Sequence, residues 1–521
     1  MLNLIPGWLT RLLAALAKRW PALASWINHR MINGLVESCR ARPHPWSTAH
    51  PYTSWTALTD QSWSARHLAP VKRESLPDPA EVQQLFERNG DEQQYCKKST
   101  CLFPAFAQYL TDGFIRTVMP SREEPPELRL RNSSNHQIDM CPLYGRSQMQ
   151  TDALRLKSGK RGERGRLLSQ QMSGGEEYAP YLLLPDGSAD PRFAGILDEP
   201  LGIRDVTDHR RAHIFAFGGD RTNAVPQVAM LNTLFLREHN RLAGKIEQIE
   251  PSWDDERVFQ VARNTAIAIF LKIVVEEYIN HITPSPFRFI AAPKVAWKAH
   301  WNRPNWITTE FSLLYRWHSL VPDSMKWNGR VVPTSTTSMD NSLLTSAGLA
   351  AAFLNHADQP AGRLGAFNTA PFLTPVETRA VMQGRLADIA PYSDYREYVS
   401  LPRPSDFSDV STNSKTQRLL KSLYRNVNSV EFYPGLFAED TVPNSPLPPL
   451  ILKFVAVDAF SQAFTNPLFS PHVFKEETFS PVGWDAIHRT STLADLVERN
   501  TPTGLQGARL SMTRADWTPV S

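Results

Sequence analysis

The sequence has only four cysteines in 521 residues: Cys39, Cys96, Cys101 and Cys141. So few cysteines exclude a disulfide-rich scaffold, and their spacing does not fit a zinc site. Cys96 and Cys101 could pair in an oxidising compartment, but we expect reduced thiols that take no part in the chemistry.

A large excess of charge is also absent. The formal net charge is +4 at pH 7 and the basic residues are dispersed, so nothing indicates nucleic-acid binding. Hydrophobic residues make up 42% of the chain, an ordinary share for a globular protein. Strand-like alternation is scarce, whereas residues 226–249 and 253–281 show long helical patterns. We therefore predict a mainly α fold.

No apolar run near the N-terminus is long enough to span a membrane, because Arg11, Lys18 and Arg19 interrupt it. These charges also break up the apolar stretch that a secretory signal requires, although Ala22 to Ala24 leave a weak cleavage-site alternative. Large apolar residues nevertheless recur at helical spacing: Trp8, Leu9, Leu12, Leu13, Leu16, Trp20, Leu23 and Ile27.

We predict that residues 1–45 form an amphipathic helical segment and residues 46–521 the main domain. The segment either lies in one membrane leaflet or packs on the protein's own core. Tryptophan and leucine on one face with basic residues on the other favour the leaflet. The protein is then expected at a membrane surface, as a monotopic protein, or in the cytoplasm.

The stretch Phe311-Ser-Leu-Leu-Tyr-Arg-Trp-His318 has the strongest chemical signature. If it is helical, Tyr315 and His318 lie three residues apart on one face. A buried imidazole is a standard ligand of haem iron, and a phenol beside it can be oxidised through the same porphyrin. Taken alone, a histidine on an apolar face is more often a satisfied core residue.

The longer segment from Glu310 to Asp323 resembles the proximal helix of the cyclooxygenases, which belong to the animal-type haem peroxidase superfamily. The resemblance extends over roughly residues 50 to 500, with several motifs in the same order. It implies a mainly α haem peroxidase fold in which His318 ligates the haem iron. It also implies that Tyr315 becomes the radical that takes hydrogen from a fatty acid.

The segment from Phe106 to Thr117 resembles the distal helix of that family. Gln108 matches a glutamine of the motif, but Asp112 stands where the family has its catalytic histidine. That histidine moves a proton during cleavage of hydrogen peroxide, and a carboxylate can replace it only where its surroundings make it a usable base. Asp112 is therefore either an acid–base residue or one that merely replaces the lost chemistry.

Further matches assign the remaining haem contacts. Arg221, in Gly219 to Asn223, corresponds to the arginine that polarises bound peroxide. Ala224 and Thr111 occupy positions at which some members join haem through ester bonds, so the resemblance implies non-covalent haem b. Ser393 aligns with an asparagine that hydrogen-bonds the proximal histidine, a role that a hydroxyl can also fill. The resemblance makes His239, in Arg237 to Asn240, architectural and not a ligand.

The segment from Asp458 to Pro467 lies where the family lines its fatty-acid channel. The serine acetylated by aspirin in mammalian members falls on Ala459 without a gap, or on Ser461 with one. Phe460 and Phe464 either line the channel or are ordinary core residues.

Together these matches predict a radical dioxygenase that inserts O2 into a long-chain fatty acid. Its partners would be an apolar substrate, O2 or peroxide, and a membrane surface, with no nucleic acid. One alternative is a peroxidase or peroxygenase that uses Asp112. Another is a haem-binding protein in which the distal change abolished catalysis.

Overall fold

The computed structural model describes residues 7–37, 55, 59–118 and 123–520. α-Helices dominate these residues and the strands are short, which confirms the prediction of a mainly α fold. The predicted boundary between residues 45 and 46 lies outside the described residues, as does Cys39.

The α-helices fall into three groups along the chain. The first group is α1 (Gly7–Arg19), α2 (Pro21–Glu37), α3 (Pro79–Gln83), α4 (Leu102–Phe114), α5 (Cys141–Tyr144), α6 (Gln148–Leu154) and α7 (Asp208–Arg211). The second is α8 (Pro226–Ile249), α9 (Asp255–Ile273), α10 (Asn280–Ile282), α11 (Lys294–Trp297), α12 (Thr309–Leu314), α13 (Ser342–Ala347) and α14 (Leu349–Ala357). The third is α15 (Thr374–Leu386), α16 (Tyr392–Tyr398), α17 (Ser414–Tyr424), α18 (Phe432–Ala438), α19 (Pro449–Phe464), α20 (Glu476–Arg489) and α21 (Leu493–Asn500).

The strands form three antiparallel pairs. β1 (Tyr95–Thr100) pairs with β6 (Pro360–Gly362), β2 (Gln170–Met172) with β3 (Glu176–Tyr178), and β4 (Ser324–Trp327) with β5 (Arg330–Pro333). The β1–β6 pair joins the start of α4 to a segment far along the chain and has a shift in register.

The centre of the core is a continuous helical stretch over residues 255–282. It consists of α9, a π-helical turn (Val274–Ile279) and α10, and α8 and α20 pack against it. The stretch is long and apolar enough to cross a membrane, but 72% of its most apolar window is buried inside the protein. It is therefore a core helix, and the predicted helical patterns at 226–249 and 253–281 are confirmed.

Helix α2 packs on the protein's own core. The Asn28 side chain donates to Ile290 O and accepts from Ile290 N, both at 2.9 Å. Asn33 Oδ1 accepts from Trp301 Nε1 at 2.9 Å. Such paired amide bonds fix one docking position, so the interpretation as a core-packed helix holds for α2.

Helices α1 and α2 pack against each other, and large apolar side chains on both helices and at their junction lie in solvent. Leu12 is 48% exposed, and Trp20 and Trp26 are each 59% exposed. These side chains keep a membrane contact open for this part of the chain.

The described cysteines are buried and unpaired. Cys96, Cys101 and Cys141 are all free, which agrees with the prediction of reduced thiols. Burial raises the pKa of the Cys101 thiol to about 12, so this thiol is inert at neutral pH.

Candidate active site

The segment that carries Tyr315 and His318 is not one helix. Thr308 caps its start, since Thr308 Oγ1 accepts from Phe311 N at 3.0 Å. At the other end, Trp317 Nε1 donates to Leu314 O at 2.7 Å. In a continuous helix that carbonyl would accept from His318 N–H. The prediction of a single helical face is therefore wrong: α12 ends at Leu314, and His318 begins a separate 3₁₀ turn, His318–Leu320.

Tyr315 nevertheless lies in a tightly packed position. Its ring centroid is 4.8 Å from that of Phe311 and 4.7 Å from that of Trp317. The Tyr278 hydroxyl donates to the Tyr315 hydroxyl at 3.2 Å. Burial raises the pKa of Tyr315, and the nearby Asp458 carboxylate acts in the same direction, whereas the hydrogen bond from Tyr278 opposes them. The phenol is therefore protonated at neutral pH.

The π-helical turn carries Tyr278, which the sequence analysis did not identify. Asn280 Nδ2 donates to Glu276 O at 2.9 Å and to Val275 O at 3.3 Å. A side-chain amide therefore donates to backbone carbonyls of the π turn. Such π turns recur at functional sites. A π turn contains one more residue per turn than an α-helix. Nothing in the sequence signals it, because apolar residues recur at helical spacing through this stretch.

The His318 imidazole lies against a buried carboxylate. Its Nδ1 is 3.1 Å from Glu377 Oε2, and the side chains are 18% and 2% exposed. Nδ1 itself is buried but is not aligned for a hydrogen bond with any described residue. The exposed part of the ring therefore lies away from Nδ1, which leaves Nε2 as the nitrogen that can meet a metal.

Two neutral side chains hold that carboxylate in place. Thr369 Oγ1 donates to Glu377 Oε1 at 2.8 Å, and the Tyr433 hydroxyl donates to Glu377 Oε2. Tyr433 lies in the segment from Val430 to Phe437, and Glu377 is on α15.

Ser393 does not have its predicted role. It is fully buried on α16, and its hydroxyl oxygen has no hydrogen-bond partner among the described residues. The predicted hydrogen bond from His318 to Ser393 is therefore wrong, since the polar atom next to the imidazole belongs to Glu377. The sequence analysis missed Glu377 because none of the matched motifs covers α15.

Gln108 and Asp112 lie four residues apart on α4 and share a face. Asp112 Oδ2 is buried without a hydrogen-bond partner. Burial raises the pKa of Asp112 to about 7, although Arg221 and a hydrogen bond with Gln108 both act to lower it. A carboxyl group with this pKa can accept and return a proton near neutrality.

The loop that carries Arg221 is fixed to the end of α4. The guanidinium donates to Thr117 O at 3.0 Å and to Ile115 O at 3.4 Å. The preceding Asp220 accepts from Arg116 at 2.6 Å. These bonds fix the loop, and Arg221 lies near enough to act on the charge of Asp112.

Close packing also limits this loop. A Cβ on Gly218 would lie 2.2 Å from Gly145 N and 2.3 Å from Cys141 O. Only glycine allows the chain to pass at this point, so the approach to Arg221 depends on Gly218.

Arg316 directly follows Tyr315 in the chain. Burial lowers its pKa, and the positive charge of Arg221 adds to the effect, while Tyr433 and Glu377 oppose it. Arg316 is therefore close enough to Arg221, Tyr433 and Glu377 for electrostatic interaction with each of them. Its guanidinium donates to Gln383 Oε1 at 2.8 Å, whereas the oxygens of Glu377 accept from Thr369 and Tyr433.

These residues fit an iron porphyrin. Haem iron needs one protein ligand on its proximal side, and His318 offers an imidazole whose Nδ1 is already beside a carboxylate. The unpartnered oxygen of Asp112 suits a distal side that receives a polar ligand. Within the described part of the chain, no group of three or more His, Cys, Asp and Glu side chains could hold a metal ion, so His318 would be the single ligand.

The predicted channel residues are all buried on α19, which contacts α12. The Phe460 ring centroid is 4.8 Å from that of Phe289, and the Phe464 ring is 6.2 Å from that of Phe469. The Ser461 hydroxyl donates to the backbone of its own helix, at Asp458 O. These contacts are those of core residues, and the channel assignment stays a prediction.

A polar pair also lies on the Asp458 side of Tyr315. His67 Nε2 is 3.1 Å from Asp458 Oδ2, and His67 Nδ1 is 3.2 Å from the Tyr398 hydroxyl. The His67 side chain is fully buried. Sequence reasoning gave no signal for this pair, because its members are far apart in the chain.

The cluster from Arg237 to Asn240 is architectural, as the resemblance implied. Both ring nitrogens of His239 are occupied, by the Tyr144 hydroxyl at 3.0 Å and by Gly165 O at 2.8 Å. Burial opposes ionisation of Glu238, but Arg241 and Arg499 lower its pKa to about 2. A cavity of about 400 Å³ adjoins this cluster, and it contains none of the predicted site residues.

Comparison with known proteins gives consistent matches. A sequence model of the family described as animal haem peroxidase matches residues 113–511. Prostaglandin G/H synthase 2 of Bos taurus is 28% identical to the chain over 480 residues, which cover 89% of this chain and 74% of the relative.

Two solved structures share the fold. Peroxidase A from Dictyostelium discoideum superposes with a TM-score of 0.68 at 19% identity, over 87% of this chain and 95% of its own. A variant of Oryza sativa fatty acid alpha-dioxygenase, solved with palmitic acid, gives a TM-score of 0.69 at 16% identity, over 88% of this chain and 84% of its own.

Proposed function

This chain belongs to the animal haem peroxidase family of oxidoreductases, and from that premise we propose that it is a dioxygenase of long-chain fatty acids. One observation carries the proposal. A protonated, partly buried phenol, Tyr315, lies next to the hydroxyl of Tyr278 and three residues before the imidazole of His318. That arrangement suits a side chain that is oxidised by one electron.

The cofactor is proposed to be non-covalent haem b held by His318. Oxidised by peroxide, this group supplies the oxidant that a phenol needs in order to lose an electron. Thr111 and Ala224 carry no carboxylate for an ester link, and the Thr111 hydroxyl donates to Ala107 O at 2.9 Å.

The reaction then uses residues of this chain. Tyr315 would give up an electron and its phenolic proton to the oxidised haem, and the Tyr278 hydroxyl, which donates to the Tyr315 oxygen at 3.2 Å, would stay hydrogen-bonded to that oxygen. The resulting Tyr315 radical takes a hydrogen atom from a carbon of the fatty acid, which restores the phenol. O2 adds to the carbon radical, and the peroxyl radical takes a hydrogen atom back from Tyr315 to give a hydroperoxide.

A fatty acid is proposed as the substrate because the relatives point to that class. The rice fold neighbour is a fatty acid alpha-dioxygenase solved with palmitic acid, and the similar bovine protein is a prostaglandin G/H synthase. We propose Phe460, Ser461 and Phe464 as lining for its chain. The exposed Trp20 and Trp26 would bring the protein to a membrane surface that holds such lipids.

The test is oxygen uptake by the haem-loaded protein with a panel of long-chain fatty acids, followed by mass spectrometry of the products. We expect O2 consumption that matches loss of one fatty acid, with a product heavier by one dioxygen. Oxidation of small donors by peroxide without O2 uptake would instead support the second candidate below. Absence of both reactions would support a haem-binding protein without catalysis.

The second candidate is a peroxidase or peroxygenase, and Asp112 favours it. The Asp112 carboxyl has a pKa of about 7 and lies beside Arg221, so it can act as the proton carrier in peroxide cleavage. The same pair also serves the dioxygenase, which needs peroxide to start its cycle.

Asp112 predicts a distinctive pH dependence of peroxide consumption. The carboxyl must be ionised to accept a proton, and with a pKa of about 7 the ionised share rises from about a tenth at pH 6 to about nine tenths at pH 8. The initial rate should therefore rise roughly ninefold across that interval. Stopped-flow measurement with haem-loaded protein checks this.

The Asp112→Asn variant should lose this rise, and its rate should fall at least about 100-fold. Asp186→Asn, which changes a solvent-exposed carboxylate, is the matched control and should keep the profile. An unchanged profile in Asp112→Asn would exclude Asp112 as the proton carrier.

A further inference from the structure

Among the described residues, Glu377 is the carboxylate that lies against the His318 imidazole, at 3.1 Å from Nδ1. We infer that Glu377 is a positioning residue for the iron: its carboxylate accepts the Nδ1–H of His318 when haem is bound and makes the imidazole a stronger electron donor. The inference rests on the proposed haem site, and it assigns the role predicted for Ser393 to a residue that no matched motif contains.

The first support is that the carboxylate is rigid. Thr369 donates to one oxygen and Tyr433 to the other, and the Glu377 side chain is 2% exposed. Because both oxygens are already held, Glu377 cannot turn away from His318 without breaking a buried hydrogen bond.

The second support is charge. Glu377 is buried, and its one recorded ion-pair contact among the described residues is with His318. Arg316, a cation that interacts electrostatically with Glu377, uses its guanidinium for Gln383 Oε1 and Ser312 O. The donors on Glu377, Thr369 and Tyr433, are neutral, and a buried negative charge is stabilised further by an imidazole N–H that donates to it.

The third support concerns the imidazole. His318 Nδ1 is buried and is not yet aligned with the Glu377 oxygen, and no other described residue bonds it. The carboxylate is fixed, so the imidazole ring is the group that is free to adjust. Alignment with Oε2 would satisfy a buried nitrogen that otherwise lacks a partner.

The chemical consequence follows from general metal-site behaviour. A carboxylate that accepts the outer N–H of a ligating histidine raises the basicity of the ligand. A more basic ligand stabilises ferric relative to ferrous iron, so the site should have a low reduction potential. It should also favour the oxidised haem that Tyr315 requires.

The test is the ferric/ferrous midpoint potential of the haem-loaded protein, measured by spectroelectrochemistry in wild type and in Glu377→Gln. Glutamine keeps the size of the side chain but removes the negative charge. We expect the preference for ferric over ferrous haem to fall at least tenfold, a rise in potential of about 59 mV. Resonance Raman spectra of the ferrous protein should show a weaker iron–histidine bond.

Glu431→Gln is the matched control. Glu431 is also a buried carboxylate, and it accepts from Arg385 at 2.8 Å and from the Tyr424 hydroxyl at 2.9 Å. It has no recorded contact with His318, so its loss should leave the potential unchanged. Equal shifts in Glu377→Gln and Glu431→Gln would overturn the inference, because a general loss of packing would then explain both.

Tyr433→Phe gives a second, independent readout with Glu377 still in place. It removes a donor from the same oxygen that faces His318, so the carboxylate becomes a better acceptor and the potential should fall. A rise, or no change, would contradict the inference. If imidazole-rescue of a His318→Gly variant shows that His318 does not ligate haem at all, the proposed function fails instead.

Discussion

Replacement of Tyr315 by phenylalanine is expected to abolish oxygen uptake with fatty acid while peroxide consumption continues. Phenylalanine has no O–H group to lose an electron and a proton, so no side chain at this position could take hydrogen from substrate. We expect the rate to fall by at least about 100-fold, or about 2.7 kcal/mol in barrier. An oxygen electrode with haem-loaded protein, an unsaturated fatty acid and a trace of hydroperoxide measures it.

Tyr278→Phe is the matched control for that experiment. It removes one buried phenol hydroxyl but leaves the phenol of Tyr315 in place. The lost hydrogen bond is worth about 1 kcal/mol, so the rate should fall only about fivefold. If Tyr315→Phe kept more than half of the wild-type oxygen uptake, hydrogen abstraction by Tyr315 would be excluded.

Replacement of His318 by alanine should remove haem from the protein. The iron would lose its protein ligand, so affinity should fall by more than the roughly 10–100-fold that loss of an outer partner costs. Titration with haemin, followed by absorbance in the Soret region, measures the affinity. Far-UV circular dichroism should stay unchanged, because His318 lies in a short 3₁₀ turn and not in a core helix.

His209→Ala is the control for this variant, since His209 is an exposed histidine on the short helix α7. It should bind haem as the wild type does. Added imidazole should restore part of the Soret band in His318→Ala. A variant without His318 that bound haem with unchanged affinity and spectrum would require a different ligand.

The helical framework was largely predictable from apolar periodicity. The pattern over residues 226–249 matches α8, and the pattern over 253–281 corresponds to the continuous stretch at 255–282. Periodicity reports which face is buried, and these core helices are apolar on most sides. It does not report an inserted residue, which is why the π turn that carries Tyr278 was missed.

The helix break after Leu314 was not predictable for a different reason. The sequence from Phe311 to His318 has no glycine or proline, so propensity favours a continuous helix. The Trp317 indole instead takes the Leu314 carbonyl, and only the three-dimensional structure reveals a side chain that competes with the backbone.

Residue partners distant in sequence were the least predictable part of the site. The resemblance led to Ser393 as the partner of His318, whereas the structure brings Glu377 to that position. The resemblance assigned Asp112 and Arg221 to the same face of the haem, and Arg221 lies near enough to act on the charge of Asp112, while their roles stay predictions. Contacts between residues far apart in the chain were not predictable from local sequence. Examples are the packing of α2 on the core and the pair formed by His67 and Asp458.

The central claim is that haem held by His318 oxidises Tyr315, which then attacks a fatty acid. Electron paramagnetic resonance of haem-loaded protein, frozen shortly after mixing with peroxide, tests it most directly. The account predicts a tyrosyl signal in wild type that is absent in Tyr315→Phe and that is replaced by a carbon-radical signal when fatty acid is added without O2. A tyrosyl signal of equal size in Tyr315→Phe, or one in wild type that fatty acid leaves unchanged, would contradict it.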